Sequence, residues 1–294
     1  MTVLTVATLN VNGLRRPRPP LLPLARRAPA LGERLDAAPI DVLNLQEVYF
    51  YESVRLLRKY LPSYPYVAYR RGPVGPCGAL VTFSRHPLSP ARYRSFAGIV
   101  PNRGSLRFRF RRALLSAIQG LTTVDLRGLP VTIVNTHLTA NRDGDWSRDN
   151  RFFDFQQAQL RRLNATIARS QVLAPRRQRP RLTIITGDFN IASDSDHYPV
   201  IVDHGARHDP FAATNPVTFH ATFLPPGETA HRIDYVLLAG PATVLDTTTL
   251  FTEPVTVDGE PHYLSDHIGL SARVDLTAPE PGAARAANPS PKPR

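Results

Sequence analysis

Leu182-Thr183-Ile184-Ile185-Thr186-Gly187-Asp188-Phe189-Asn190 decides how the rest of this chain is read. Its first five residues form an apolar, β-branched run, the composition of a buried strand. Gly187 then removes side-chain bulk, and a carboxylate and a carboxamide follow two residues apart. In an extended segment side chains alternate between faces, so Asp188 and Asn190 point the same way where the strand runs out. Such a pair can hold one water from two sides, orient it and accept its proton. Gly, Asp and Asn also form turns, so the tetrad takes its meaning from what stands at the ends of the other strands.

The same arrangement recurs in both directions. Toward the N-terminus, short apolar runs end in Asn135-Thr136-His137-Leu138, in Leu45-Gln46-Glu47-Val48 and in Thr8-Leu9-Asn10-Val11-Asn12-Gly13. Toward the C-terminus, Arg232-Ile233-Asp234-Tyr235 opens one apolar run and Ser265-Asp266-His267 precedes another. Asp234 lies in a strongly apolar stretch, where a carboxylate is costly to bury unpaired. His267 is its natural partner, fixing a tautomer and gaining basicity, and Arg232 is the alternative. Glu47 and Asn10 offer hard oxygen donors that suit Mg²⁺ or Mn²⁺, with Asp266 as a further ligand. Asn135 and His137 share one face, and His137 can donate to a non-bridging phosphate oxygen. The inventory holds carboxylates, carboxamides and imidazoles without a serine or cysteine nucleophile in a comparable setting. It suits metal-assisted attack of water on a phosphate ester.

Strand patterns are expected over residues 4–9, 41–46, 66–69, 79–84, 114–126, 131–136, 182–186, 233–238 and 268–274, and helices over 21–37, 51–60 and 149–172. Their alternation is that of an α/β protein. With 294 residues, 42% of them hydrophobic, and motifs from residue 8 to residue 267, one large domain over 1–276 is expected. Residues 277–294 are rich in Pro and Ala and read as a disordered tail. Cys77 is the only cysteine, which excludes an intramolecular disulfide and a cysteine-rich zinc site; its apolar neighbours suggest a packed core thiol. No apolar run reaches the ~20 residues of a membrane span. The first residues enter a strand pattern without a secretory signal, so a cytoplasmic protein is expected.

The formal charge is +12, from 36 basic and 24 acidic residues. It makes nucleic acid a candidate partner. Lysine occurs only at Lys59 and Lys292, however, and arginine collects in Pro-rich loops at residues 15–20 and 175–181, a bias that genome composition can also produce. His208-Asp209 and Asp203-His204 read as surface loops, and Asp194-Ser195-Asp196 lacks the glycine and distal glutamate of a calcium loop. The lone Trp146 either lines a substrate mouth or packs its own loop.

Six motifs in this order resemble the endonuclease/exonuclease/phosphatase superfamily, over almost everything from residue 1 to about residue 276. Residues 135–138, the stretch from Gly78 to Leu88 and the ending Leu264-Ser265-Asp266-His267 are closest to its neutral sphingomyelinase and deoxyribonuclease-like branches. The resemblance implies a four-layer α/β sandwich, two facing, mainly antiparallel β-sheets flanked by helices, with a metal site at one edge. It implies magnesium at Asn10 and Glu47, and water handled by Asp188 with Asn190. By the same matching Asp234 and His267 form the acid/base dyad, Asp266 contacts metal or water, and His137 binds phosphate. Which of Asp188 and His267 takes the proton stays open. The expected activity is hydrolysis of a phosphate ester, a diester slightly before a small phosphorylated metabolite, with a non-catalytic binder of nucleic acid or anionic membrane as the rival. No Trp/Phe-rich hairpin for entering a bilayer is found, so a membrane partner is not expected. The oligomeric state is open.

Overall fold

The computed structural model describes residues 2–15, 17, 20–173 and 182–277, so the proposed tail beyond 277 and the arginine-rich stretch 175–181 lie outside the described residues. In chain order the elements are β1 (Val3–Asn10), α1 (Leu24–Ala37), β2 (Val42–Gln46), α2 (Tyr51–Tyr60), β3 (Tyr66–Ala68), β4 (Val81–Ser84) and β5 (Arg92–Ser95). They continue with α3 (Leu106–Ile118), β6 (Gly120–Asp125), β7 (Val131–His137), α4 (Phe153–Leu173), β8 (Leu182–Asp188) and α5 (Tyr198–Ile201). The last are β9 (Asp234–Ala239), β10 (Thr243–Leu250), β11 (Val255–Val257), β12 (Glu260–His262) and β13 (Gly269–Asp275).

The strands form a six-stranded sheet in the order β10-β13-β1-β2-β4-β3 and a five-stranded sheet in the order β5-β6-β7-β8-β9, with β11 and β12 as a separate hairpin. Each large sheet has one parallel pair, β1 with β2 and β7 with β8, and is otherwise antiparallel. A parallel pair needs a crossover, and α1 and α4 supply the two.

Three apolar layers hold four structural layers together. Leu24, Ala28, Leu31 and Leu35 of α1 and Val54 and Leu57 of α2 pack on Ala7, Leu9, Leu43, Leu45 and Phe83. Leu4, Val6, Val42, Leu270, Ala272 and Val274 of one sheet face Val124, Ile133, Ile184, Val236 and Leu238 of the other. Phe155, Leu160, Leu163 and Ile167 of α4 cover Val134, Ile185 and Leu237. A two-residue period thus assigns the residues of the central strands to the inter-sheet or the helix-covered side. This is the four-layer α/β sandwich of two facing sheets.

The inter-sheet layer changes character along its length. Beyond Val6, Val42, Ile133 and Ile184 the same faces continue as Thr8, Asn44, Asn135 and Thr186, all buried. Asn44 Nδ2 donates to Thr186 Oγ1 at 2.8 Å and its Oδ1 accepts from Thr82 Oγ1 at 2.7 Å. Gln46 Nε2 bridges Thr8 Oγ1 at 2.9 Å and Asn135 Oδ1 at 2.7 Å, and Asn135 Nδ2 reaches back to the Leu45 carbonyl at 3.1 Å. This polar plug separates the apolar core from the strand ends.

Four sequence expectations differ from the structure. Residues 114–126 are not one strand: α3 runs to Ile118 and β6 starts at Gly120. An apolar run without clear periodicity concealed the break; the helix ends at Gln119, whose backbone is extended, and Gly120 lets β6 pair closely with β5, since a Cβ there would stand 2.1 Å from the Arg94 carbonyl oxygen. Strands β5 and β10 carry too many polar residues to announce themselves; they lie at sheet edges, where solvent takes one side. Cys77 is half-buried in the turn before β4, with Sγ 3.4 Å from the Arg71 carbonyl oxygen, and not a core thiol. Asp209 is buried rather than a surface loop residue, held by Arg232 through bonds of 3.0 and 2.7 Å. No helix among the described residues is long and apolar enough to cross a membrane.

Candidate active site

The candidate site residues Asn10, Glu47, His137, Asp188, Asn190, Asp234, Asp266 and His267 converge on one edge of the two sheets, because of strand direction. The parallel strands β1, β2, β7 and β8 end there, delivering Asn10, Glu47, His137 and Asp188, while the antiparallel β9 begins there with Asp234. His267 stands just before β13. Across the second sheet His137, Asp188 and Asp234 are register neighbours on successive strands. Asn10, His137, Asp188 and Asp234 continue the inter-sheet faces of their strands, whereas at the end of β2 that position belongs to Gln46 of the polar plug and Glu47 follows it with a φ of 60°.

Asp188 is the hub. Its Oδ2 accepts from Asn10 Nδ2 at 2.9 Å and lies 3.5 Å from His137 Nε2 and 3.6 Å from His267 Nε2. Its Oδ1 accepts from the Asn190 backbone N–H at 2.8 Å. Asn190 therefore follows through a turn, with φ of 53°, rather than in extended alternation, and its Nδ2 donates to the Leu138 carbonyl at 3.0 Å. Both side chains still face the same cavity. Gly187 has a φ of 146°, and a Cβ there would lie 2.0 Å from the Thr136 carbonyl oxygen; glycine is what lets β7 and β8 close beside Asp188.

Asp234 and His267 form a buried pair, Oδ2 to Nδ1 at 2.9 Å. Arg232 is committed to Asp209 and Asn215, so it does not compete for Asp234. Burial drives the Asp234 carboxyl up to about 6, against the pull of the neighbouring imidazole. Burial would drive His267 down, but Asp234, Asp188 and Asp266 outweigh it and hold the imidazole well above its usual range. Phe219 stands edge-on to the ring with centroids 5.0 Å apart, and the Ser265 hydroxyl accepts from the His267 backbone N–H at 3.1 Å, fixing its placement.

The carboxylates opposite are tied through carboxamides. Asn10 Nδ2 also donates to Glu47 Oε1 at 3.2 Å, and its Oδ1 accepts from the Asn12 backbone at 3.0 Å. Asn12 Nδ2 donates to Asp266 Oδ2 at 2.8 Å. Glu47 has a φ of 60°, and burial raises its carboxyl pKa, helped by the charge of Asp266. Asn12 Oδ1 is buried without a hydrogen-bond partner. Desolvated carboxylates beside an unpaired amide oxygen form a hard-oxygen donor set, and it fits a divalent cation. A second group, Asp188, Asp234 and His267, has potential ligand atoms within 4.8 Å of one another. There His267 Nδ1 is already engaged by Asp234, the arrangement of a proton relay rather than of an open metal site.

Three further residues build the site, and one of them, Arg27, had no signal of its own in the sequence. Arg27, fully buried in α1, donates to the carbonyls of Leu22, Val11, Asn12 and Leu264 and so clamps together the loops that carry Asn12 and Asp266. Burial lowers its pKa to about 10, leaving it charged at neutral pH. One arginine among many gives no hint of this. Asn12, by contrast, was open to the alternation argument, two residues after Asn10. Ser265 lay inside a quoted motif, and its hydroxyl donates to the Asn10 carbonyl at 2.5 Å.

The group opens into a cavity of about 890 Å³. One wall is the cluster of Glu47, His137, Asp188, Asn190, Asp266 and His267; the others are a loop carrying Asn141, Arg142, Asp143 and Trp146 and a loop from Phe219 to His231. Trp146 lines the mouth, one of the two roles expected of it, and packs edge-on to His231 of the facing loop, with centroids 5.8 Å apart.

Known structures share this frame. SmcL aligns with a TM-score of 0.67 at 18% identity, covering 93% of this chain and 99% of its own. Beta toxin from Staphylococcus aureus aligns at 0.65 with 16% identity, covering 92% and 99%. D. rerio TDP2 complexed with single strand DNA product aligns at 0.65 with 18% identity, covering 94% and 100%. At such identities these matches establish the fold. No curated protein registers as a relative by sequence. The family model Endonuclease/Exonuclease/phosphatase family matches residues 7–267, a span that begins in β1 ahead of Asn10 and ends on His267 and so takes in every side chain of the cluster. The chain belongs to the endonuclease/exonuclease/phosphatase family and is a metal-dependent phosphoric ester hydrolase.

Proposed function

We propose that this enzyme is a Mg²⁺-dependent phosphodiesterase that hydrolyses its substrate by direct attack of water. The observation that carries the reading is Asp188 Oδ2, which has Asn10 at 2.9 Å, His137 at 3.5 Å and His267 at 3.6 Å, with Asp234 behind His267. None of the described residues lining the cavity is a serine or cysteine, which favours water over a covalent intermediate.

In this reading Glu47 and Asp266 hold the cation, with Asn10 between Glu47 and Asp188; Mn²⁺ would occupy the same oxygen set. When bound, the cation offsets phosphate charge and stabilises the leaving oxygen. Asp188 and Asn190 orient the water. The Asp188–His267 pair accepts its proton, and Asp234 holds the imidazole in register. His137 donates from Nε2 to a non-bridging oxygen as negative charge builds. A diester suits this cavity better than a monoester. Its lining carries Glu47, Asp188, Glu228 and Asp266 besides Asp143, which Arg151 pairs, and Arg142 is the only arginine or lysine among the described lining residues. A singly charged phosphate is repelled less by such walls than a doubly charged one.

The test is hydrolysis of bis(p-nitrophenyl) phosphate beside p-nitrophenyl phosphate, then of DNA, RNA and sphingomyelin, with Mg²⁺ or EDTA. The diester should be cleaved faster, and EDTA should abolish the reaction. Asp188→Ala and His267→Ala should each reduce turnover by about 10³-fold or more in a folded protein, since both belong to one relay. A near-normal rate in either variant would sink the mechanism, and preference for the monoester would sink the diester assignment.

A further inference from the structure

The last five residues of helix α3, 114–118, fall where a strand was expected, and the outward face of α3 is unlike that of the other helices among the described residues. Ser105 caps it, accepting from the Phe108 N–H at 3.3 Å. Its inner side is anchored by Phe108, edge-on to Phe152 with centroids 5.1 Å apart, and by Ser116 Oγ donating to the Phe96 carbonyl at 2.9 Å. Outward, Leu106, Phe110, Leu114 and Ile118 are 80, 66, 56 and 64% exposed. They recur every fourth residue, so they form one stripe along a helix about 20 Å long. Leu115 and Val100 widen it. Isolated exposed apolar residues are ordinary on a protein surface, but a continuous stripe of large ones marks a binding face.

The charges on the helix itself are of one sign. The helix carries Arg107, Arg109, Arg111 and Arg112 and no acidic residue. Arg107 and Arg111 are exposed, and no ion pair reaches either among the described residues. On the inner side Arg112 lies within the influence of Arg142, Arg111 and Arg151. The helix also rests on the loop that forms the cavity mouth. Arg151 stacks over Phe108 at 4.5 Å and pairs with Asp143 at 2.6 Å, and Arg142, Asp143 and Trp146 line the cavity.

We propose that α3 docks this enzyme on an anionic lipid bilayer, with the Leu106-Phe110-Leu114-Ile118 stripe entering the headgroup–acyl boundary and Arg107 and Arg111 meeting lipid phosphates. An apolar face flanked by arginine is the composition of an interfacial helix. A second copy of the chain is a poorer occupant, because two-fold self-pairing would set these arginines against their own images. A nucleic-acid backbone would leave the stripe uncovered, since phosphate contacts need only the arginines. The docking is independent of the catalytic reading and is tested without turnover.

The full chain is sedimented with phosphatidylcholine vesicles, with and without phosphatidylserine, at low and high salt. Wild type should bind the phosphatidylserine vesicles, less so at high salt. Phe110→Ser with Leu114→Ser should weaken binding by roughly tenfold or more, given the apolar area withdrawn from the bilayer. Arg107→Gln with Arg111→Gln should remove the preference for phosphatidylserine. Hydrogen exchange of the α3 amides in wild type gives a readout free of mutation, with slowing on vesicle addition expected. Failure of wild type to sediment, a stripe variant that binds like wild type, or unchanged exchange in α3 would each overturn the proposal. So would a concentration-dependent dimer abolished by the stripe variant in a protein that ignores vesicles.

Discussion

Asp188 and His197 show how one physical variable, burial, has opposite outcomes for a polar side chain. Asp188 is buried but surrounded by Asn10, His137, His267 and the Asn190 backbone, so its lone pairs are engaged. His197 is buried against Phe153, stacked with centroids 4.1 Å apart, and neither ring nitrogen has a partner. Burial pushes its pKa down to about 4, because desolvation of the charged form outweighs the pull of the Asp196 and Asp154 carboxylates. The unfolded chain, with an ordinary imidazole near 6.5, therefore binds a proton that the folded one refuses between those two values. Stability from this group is complete above about pH 6.5 and is lost as pH falls toward 4, by on the order of 3 kcal/mol. Urea titrations at a series of pH values should show that slope, and His197→Phe, which keeps the stack, should flatten it. A variant with an unchanged slope would mean that another group carries the acid sensitivity.

Two βαβ units, β1-α1-β2 and β7-α4-β8, do most of the positioning, because each parallel pair ends two strands at the same edge. The closeness of β7 and β8 depends on Gly187. In Gly187→Ala a Cβ would meet the Thr136 carbonyl oxygen at 2.0 Å, in a backbone conformation with φ of 146° that alanine resists. The strands must part beside Asp188. A stability loss of about 2–4 kcal/mol is expected in denaturant titration, with turnover falling further than the loss of folded protein explains. Wild-type stability in this variant would show that the strand pair is looser than described. Asn135 tests the polar plug in a different way. Asn135→Ala leaves Gln46 Nε2 without one of its acceptors and should cost about 1–3 kcal/mol by the same titration, with a smaller effect on rate than Asp188→Ala, since Asn135 does not line the cavity.

For the molecule as a whole, the buried carboxylates at the sheet edge are a cost that a cation should relieve. Glu47, whose carboxyl is raised by burial and by Asp266, reports that cost directly. Mg²⁺ should therefore raise the melting temperature. Saturation at about 100 times Kd corresponds to about 2.7 kcal/mol, or several degrees for a chain of this size. Glu47→Gln should melt near or above wild type without metal and lose most of the Mg²⁺ response. An undiminished response in Glu47→Gln would move the metal to other ligands.

The chain by itself determined the ends of the strands. Apolar runs stopping at Asn10, Glu47, His137 and Asp188 were legible because strand burial has a two-residue period, and a polar residue at such a stop breaks it visibly. The helices α1, α2 and α4 were legible for the same kind of reason, since each covers one sheet with one face. Only the tertiary structure decided what meets what across the sheets. It set Asn10 against Asp188, 178 residues away, chose His267 over Arg232 as the partner of Asp234, and put Arg27 beneath the loops of Asn12 and Asp266. It also decided that the residues after Ser105 form a helix whose apolar side faces outward. Local pattern records how far each residue sits from water. Which distant residue fills the space beside it depends on how two sheets stack, and no window along the chain contains that information.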